Sequence, residues 1–186
     1  MNILIIGAAG GIGTSLVDKL NKLNANLFLG FHQNKIDNNH PHQQVDARDF
    51  DSTESFVQNG LDELGSVDGV VNLAGNLILK PAHLSTNEDF YESIETNLKT
   101  AFSVVKAVGN NLKDCSVVLM STAATSIGLA NHELISCAKS GVEGLAISAA
   151  KTYARKNIRF NTVAPGLVNT PLAEKITSNE LALNAS

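Results

Sequence analysis

Short apolar runs alternate along this chain with longer segments in which apolar residues recur every three or four positions. Ile3, Leu4, Ile5 and Ile6 form an unbroken apolar run, which predicts a buried strand. Over residues 12–23, Ile12, Leu16, Leu20 and Leu23 share one helical face. The same reading places strands at 27–31, 43–45, 69–73, 116–120 and 158–163, and helices at 56–64, 87–108 and 133–155. Strands that are apolar at successive positions are those covered on both faces, as in a parallel sheet. Strand–helix alternation throughout predicts an α/β fold, a Rossmann-like doubly wound parallel sheet of three layers and about six strands. There is no internal repeat, and the polar residues 177–186 are expected to form a poorly ordered tail.

At 186 residues the chain suits a single domain over 1–186 with a sizeable core. Its 44% hydrophobic content excludes general disorder, while the 17% charged content lies below the ~25% of an average soluble protein. A net charge of -4 without any basic run argues against nucleic acid or an anionic membrane as partner. The start, Met1 to Ile6, is too short and uncharged for a secretory signal. No run approaches the ~20 apolar residues of a membrane span, so a cytoplasmic protein is expected. Cys115 and Cys137 are too few for a disulfide framework and read as buried small residues. His40 and His42 lack carboxylate or thiol companions and read as a polar loop, so no metal is expected.

The first chemistry lies at Gly7-Ala8-Ala9-Gly10-Gly11-Ile12-Gly13, between the first strand and the first helix. A nucleotide pyrophosphate needs backbone N–H groups at a helix start and no Cβ atoms in its way, and glycines at 7, 11 and 13 supply both. No Gly-Lys-Ser/Thr follows, so this is not a Walker loop. The spacing G-x-x-x-G-x-G resembles the cofactor loop of the short-chain dehydrogenase/reductase family, with Ile6 where that family usually has threonine. Four further segments agree in order: Asn72-Leu73-Ala74-Gly75, Asn97 in Thr96-Asn97-Leu98, Lys139 in Ser136-Cys137-Ala138-Lys139-Ser140-Gly141, and 161–171 with Pro165-Gly166 and Thr170. The resemblance implies NAD or NADP, hydride transfer at a carbonyl or alcohol carbon, and nucleotide contacts from Gly7, Gly10, Gly11, Ile12, Gly13, Asn72, Ala74, Gly75, Lys139, Pro165, Gly166, Val168 and Thr170. It also implies an aspartate near the adenine, here Asp46 with Ala47 beside it; a strand-end cap explains Asp46 equally well.

An NAD-selective site usually carries an acid after the second strand. Here the stretch is His32-Gln33-Asn34-Lys35, with no acid before Asp37, so a 2′-phosphate meets no repulsion. His32 or Lys35 can attract it, which mildly favours NADP over NAD although no arginine accompanies them.

The family's usual site is a serine, a Y-x-x-x-K pair and the helix asparagine. Four residues before Lys139 stands Ile135, which can neither donate nor accept a proton. His132, seven before Lys139, shares its helical face and takes the position of the tyrosine in enoyl-reductase-like members, so it is the candidate acid–base group. A neutral ring there is expected to polarise a substrate oxygen, with water or the lysine relay supplying the proton. The alternative is a histidine that merely starts the helix. By spacing Thr122 fits the serine position, with Ser121 as alternative, because consecutive strand residues face opposite ways. Asn97 is a poor helix former placed mid-helix, which suggests a side-chain task. No G-x-S-x-G elbow is present, so Ser121, His132 and Asp114 do not make a hydrolase triad.

Gly141 and Gly144 lie in the last long helix and suggest close helix–helix contact. In the resembled family this helix often packs across a subunit interface, which implies a homodimer or homotetramer. The expected activity is that of an NAD(P)-dependent oxidoreductase on a small-molecule carbonyl, alcohol or enoyl substrate. The missing tyrosine leaves a non-catalytic nucleotide-binding regulatory or partner subunit, or an inactive truncated enzyme, as alternatives. Family members run several tens of residues beyond the position of Thr170, adding helices and a seventh strand. A carboxy-terminally short chain is therefore expected, with one sheet edge and part of the substrate pocket open.

Overall fold

The structure, a computed structural model, describes residues 1–174. The expected tail lies outside the described residues. Six parallel strands form one sheet: β1 (Asn2–Ile6), β2 (Asn26–Phe31), β3 (His42–Gln44), β4 (Gly69–Asn72), β5 (Ser116–Met120) and β6 (Arg159–Val163). Their order is β3-β2-β1-β4-β5-β6, so successive crossovers run outward from β1 and then reverse at β4. That is the doubly wound arrangement, and the reversal leaves a crevice at the carboxyl ends of β1 and β4.

Helices cover the two faces unequally. Helix α1 (Gly11–Lys22) buries Val17 and Leu20 against Ile3, Ile5, Leu27 and Leu29. Helices α2 (Phe50–Leu64), α4 (Thr100–Asn111) and α6 (Glu133–Thr152) enclose the other face around Leu4, Phe56, Val104, Val117 and Val142. β1 and β2 are therefore covered on both sides, as their apolar runs require. β4, β5 and β6 instead alternate between buried and less buried positions, so among the described residues one of their faces is closed and the other only partly covered, Val71 of β4 packing against the α1 side. This corrects the expectation of two-sided cover for 116–120 and 158–163.

Element boundaries shifted where side-chain capping outweighed apolar periodicity. Helix α2 starts six residues before the expected 56, because Asp49 accepts the Ser52 N–H at 2.7 Å and caps it there. The single helix expected over 87–108 is three pieces: α3 (Asn87–Ser93), a π-helical segment (Ile94–Lys99) and α4. Helix α3 opens on a reciprocal capping box between Thr86 and Asp89, and Asp89 also pairs with Lys80. A short helix α5 (Ala124–Ile127) follows β5, where none was expected. Gly141 packs within the chain, since a Cβ there would stand 2.9 Å from the Leu98 side chain, while Gly144 faces open space. Cys115 is buried and its thiol is pushed up to about 11 by that burial, but Cys137 is exposed, against expectation.

Candidate active site

Two cavities open at the carboxyl ends of the strands, and Leu73, Ala74 and Gly75 wall both of them. This shared wall follows β4 at the point where the strand order reverses. Helix α1 begins between them: Gly10 faces one cavity and Ile12 the other. Its N-cap, Gly10, carries no side-chain cap and its first turn holds no acid. The positive end of the helix dipole is thus left for an anion, as a pyrophosphate requires.

The glycines of the loop serve different needs. Gly7 has φ +81° and Gly13 lies so close beneath it that a Cβ would stand 2.3 Å from the Gly7 carbonyl oxygen. These two are demanded by the tight turn itself. At Gly11 a Cβ would stand 2.8 Å from Thr170 Cβ, so the loop after β6 closes down on the helix start. Asn72, expected at the nucleotide, is buried beneath the turn instead: its Oδ1 accepts the Ala74 N–H at 3.1 Å, and it faces neither cavity.

The larger cavity, about 400 Å³, runs from Gly7 and Gly10 to the ends of β2 and β3, where His32, Asp46 and Ala47 line it. Lys35 is exposed and lines neither cavity. Arg48 also lines the larger cavity, a cation outside the 32–35 stretch in which the sequence places the counter-charge. Its Nε and Nη2 each donate to the Asp46 carboxylate at 3.0 Å, and the His32 Nε2 stands 3.8 Å from the same group. The Arg48 guanidinium holds the Asp46 carboxyl below the usual carboxylate range. The signal was present in the spacing: Arg48 follows Asp46 by two at the end of β3, where backbone and side chain can grip one carboxylate together.

The smaller cavity, about 200 Å³, collects every catalytic candidate: Asn97, Ser121, Thr122, His132 and Lys139, together with Ile135. Pro165, Gly166, Val168 and Thr170 close its other side. Lys139 is 7% exposed, and burial pushes its ammonium down to about 8. A Cβ at Gly75 would stand 3.4 Å from the Lys139 Nζ and 2.8 Å from the Asn97 Oδ1, so glycine makes the room in which those two groups meet the shared wall. Asn97 lies in the π-helical segment; its Nδ2 donates to the Ser93 carbonyl at 3.0 Å and to the Asn76 Oδ1 at 2.7 Å.

His132 is the N-cap of α6 and stands at the cavity, so it starts the helix and also faces the site. Its Nδ1 lies 2.8 Å from the Ala130 carbonyl oxygen. A carbonyl only accepts, so Nδ1 carries the hydrogen and Nε2 is the ring atom left to act. In the neutral ring that atom accepts a hydrogen bond. This reverses the expectation that a neutral ring would polarise a substrate oxygen by donating.

Ser121 and Thr122 both reach the cavity, but Ser121 is engaged. Its hydroxyl donates to the Glu143 carboxylate, which also accepts from the Thr125 hydroxyl at 3.0 Å. Among the described residues the Thr122 side chain makes only a long 3.4 Å contact, from the Ala124 N–H to its Oγ1, which leaves its hydroxyl hydrogen for a ligand. Glu143, one helical turn beyond Lys139 on α6, was not singled out from the sequence, since nothing local links it to β5. Glu143→Gln is expected to lower stability by about 1–2 kcal/mol, because two hydroxyls lose a charged acceptor. Thermal denaturation of the variant checks this, and an unchanged midpoint would show that the contact contributes nothing.

Among the described residues no helix is long and apolar enough to cross a membrane, and no group of three His, Cys, Asp or Glu is placed to hold a metal ion.

Comparison with known proteins agrees with this geometry. A family model described as short chain dehydrogenase matches residues 1–181. Oxidoreductase UcpA of Salmonella typhimurium is 31% identical over 187 residues, spanning 93% of this chain and 71% of that protein. A tropinone reductase homolog of Arabidopsis thaliana is 29% identical over 199 residues, spanning 97% and 74%. Among solved structures, a short-chain type dehydrogenase/reductase from Mycobacterium ulcerans superposes with a TM-score of 0.89 at 21% identity, over 98% of this chain and 73% of that one, a likeness of fold.

Proposed function

The chain belongs to the short-chain dehydrogenase/reductase family, and on that premise we propose that it is an NAD(P)-dependent oxidoreductase acting on a small carbonyl or alcohol. One observation carries this reading. The acid–base candidates stand in a cavity that shares its wall with a second, nucleotide-sized cavity at the start of α1. When bound, a nicotinamide supplies or accepts hydride. The rest falls to this chain's own groups. The buried Lys139 ammonium would hold the ribose hydroxyls and favour negative charge developing on a substrate oxygen. Thr122 Oγ1 would donate to that oxygen. His132 Nε2 would take the hydroxyl proton in alcohol oxidation and return it in reduction. Asn97 anchors the turn facing Gly75. On the nucleotide side, His32 and Arg48 line the cavity and would attract a 2′-phosphate, which favours NADP over NAD.

His132→Ala is expected to lower kcat by about 100-fold or more, the usual worth of a positioned acid–base group. Its affinity for NADPH and NADH, read by nicotinamide fluorescence, should not change, because His132 is absent from the nucleotide cavity. A wild-type protein that binds nucleotide but turns over no ketone, alcohol or enone would favour a regulatory subunit instead.

Ile135 favours a second substrate type. His132 lies three residues before it, about 4.5 Å along the helix axis, so the proton-transfer atom is displaced toward the helix start. A conjugated enone, whose oxygen is farther from its hydride-accepting carbon, suits that displacement. Including enones beside saturated ketones in the same turnover assay separates the two.

A further inference from the structure

Charge is distributed very unevenly between the two cavities. The nucleotide side is lined by Asp46, Arg48, Glu92 and His32. On the other side Lys139 is the one lysine, and no aspartate, glutamate or arginine lines the cavity among the described residues. Much of its wall is aliphatic, including Leu77, Ile127, Leu129, Ile135, Leu167 and Leu172. Three of these are left well exposed, with Ile127 at 65%, Leu172 at 56% and Leu167 at 41%. Apolar side chains gathered at the rim of a concave site are covered at a gain when an apolar ligand enters.

We propose that the substrate of this site is electrically neutral and carries its reactive oxygen on an aliphatic body of several carbons. The inference rests on the oxidoreductase reading above and specifies its substrate class. Of the polar side chains in the cavity, Asn76 and Asn97 bond each other, Ser121 bonds Glu143 and Thr170 bonds the Val168 carbonyl, which leaves Thr122, His132 and Lys139 for one oxygen and the ribose beside it. A second charged group on the substrate would lose its hydration against the aliphatic wall, and the one fixed charge there, Lys139, is already engaged by the ribose and the reacting oxygen. A carboxylate, phosphate or ammonium substituent is therefore rejected, while added methylenes are rewarded. Ile135 belongs to the same design. It is 4% exposed and extends the aliphatic wall to within one turn of Lys139.

The test uses the full chain saturated with NADPH. Unbranched primary amides, neutral dead-end mimics of a ketone, are titrated from three to nine carbons, with nicotinamide fluorescence as readout. Affinity should rise about fourfold per methylene until the cavity is filled. The matched amides ending in a carboxylate should bind at least about 100-fold more weakly than their neutral counterparts. Ile127→Lys, a change at an exposed side chain, should narrow that gap about tenfold by supplying the absent counter-charge. Affinity that is flat with chain length, equal for charged and neutral amides, or absent while NADPH is bound overturns the proposal and leaves the oxidoreductase reading standing. Failure of NADPH and NADH to bind at all overturns both.

Discussion

Replacing Lys139 with methionine is expected to make the nucleotide-free protein more stable while reducing turnover by about 100- to 1,000-fold. The loss of turnover follows from removing a preorganised cation where charge develops. The gain in stability follows from burial. The amine titrates near 10.5 in the unfolded chain and at about 8 in the fold, with burial as the cause. Below pH 8 both states hold the proton, and the fold bears the full cost of an interior ammonium, about 3 kcal/mol. Between pH 8 and about 10.5 the unfolded chain binds more protons than the fold, so stability rises with pH. Above that window the cost is gone. Lys139→Met lacks the cost throughout, so it should exceed the wild type most at pH 7, and the two curves should converge toward pH 10.5. Denaturant midpoints measured across that range check the sign. A methionine variant less stable at pH 7 would show that unseen partners stabilise the ammonium.

Gly13→Ala should be the most damaging single methyl group in the chain. The added carbon would stand 2.3 Å from the Gly7 carbonyl oxygen and 2.7 Å from the Ala8 carbonyl carbon. Both are backbone atoms of a turn that cannot step aside, because the Gly7 and Ala8 N–H groups are bonded to the Gly30 carbonyl at 3.0 Å each. Overpacking of flexible side chains costs about 1–3 kcal/mol, and a rigid backbone clash should reach or exceed the upper end. Nucleotide binding should be lost with it, since the displaced turn opens α1. Circular dichroism melting and a fluorescence titration read the two effects separately. Gly144→Ala is the control, because nothing lies within 4 Å of the added carbon and the residue lines neither cavity.

The parts of the molecule legible in the sequence were those encoded by neighbours in the chain. The apolar runs, the glycine loop and the face shared by His132, Ile135 and Lys139 are local patterns, and they carried the sheet and the site. The resemblance supplied Asn97 and Thr122. What stayed hidden depends on segments meeting across the sheet. Glu143 reaches Ser121 because α6 crosses the end of β5, and no local pattern records that crossing. Asn72 stands in a familiar motif, yet backbone geometry turns it inward to hold Ala74. The apolar run 116–120 shows that a strand can be covered, not what covers it, and its alternating burial comes from helices packed on one side alone.

The π-helical segment Ile94–Lys99 has a consequence for how this chain can change. Each residue added to an α-helix turns everything beyond it by about 100°. A wider turn absorbs one surplus residue without that rotation, and here the side chain of Asn97 occupies the Ser93 carbonyl that the surplus would leave unfilled. On one side of the segment the register is set by α3 and its capping box; on the other it is set by Val104 and Val108, both fully buried. Neither side can rotate to suit the other. Single-residue deletions inside 94–99 would straighten the helix and so misdirect either Asn97 or the valines. Substitution can change the site, but its length is locked by the core, and lineages descending from this chain should keep the count of residues between Thr86 and Val104 even where they exchange the residues themselves.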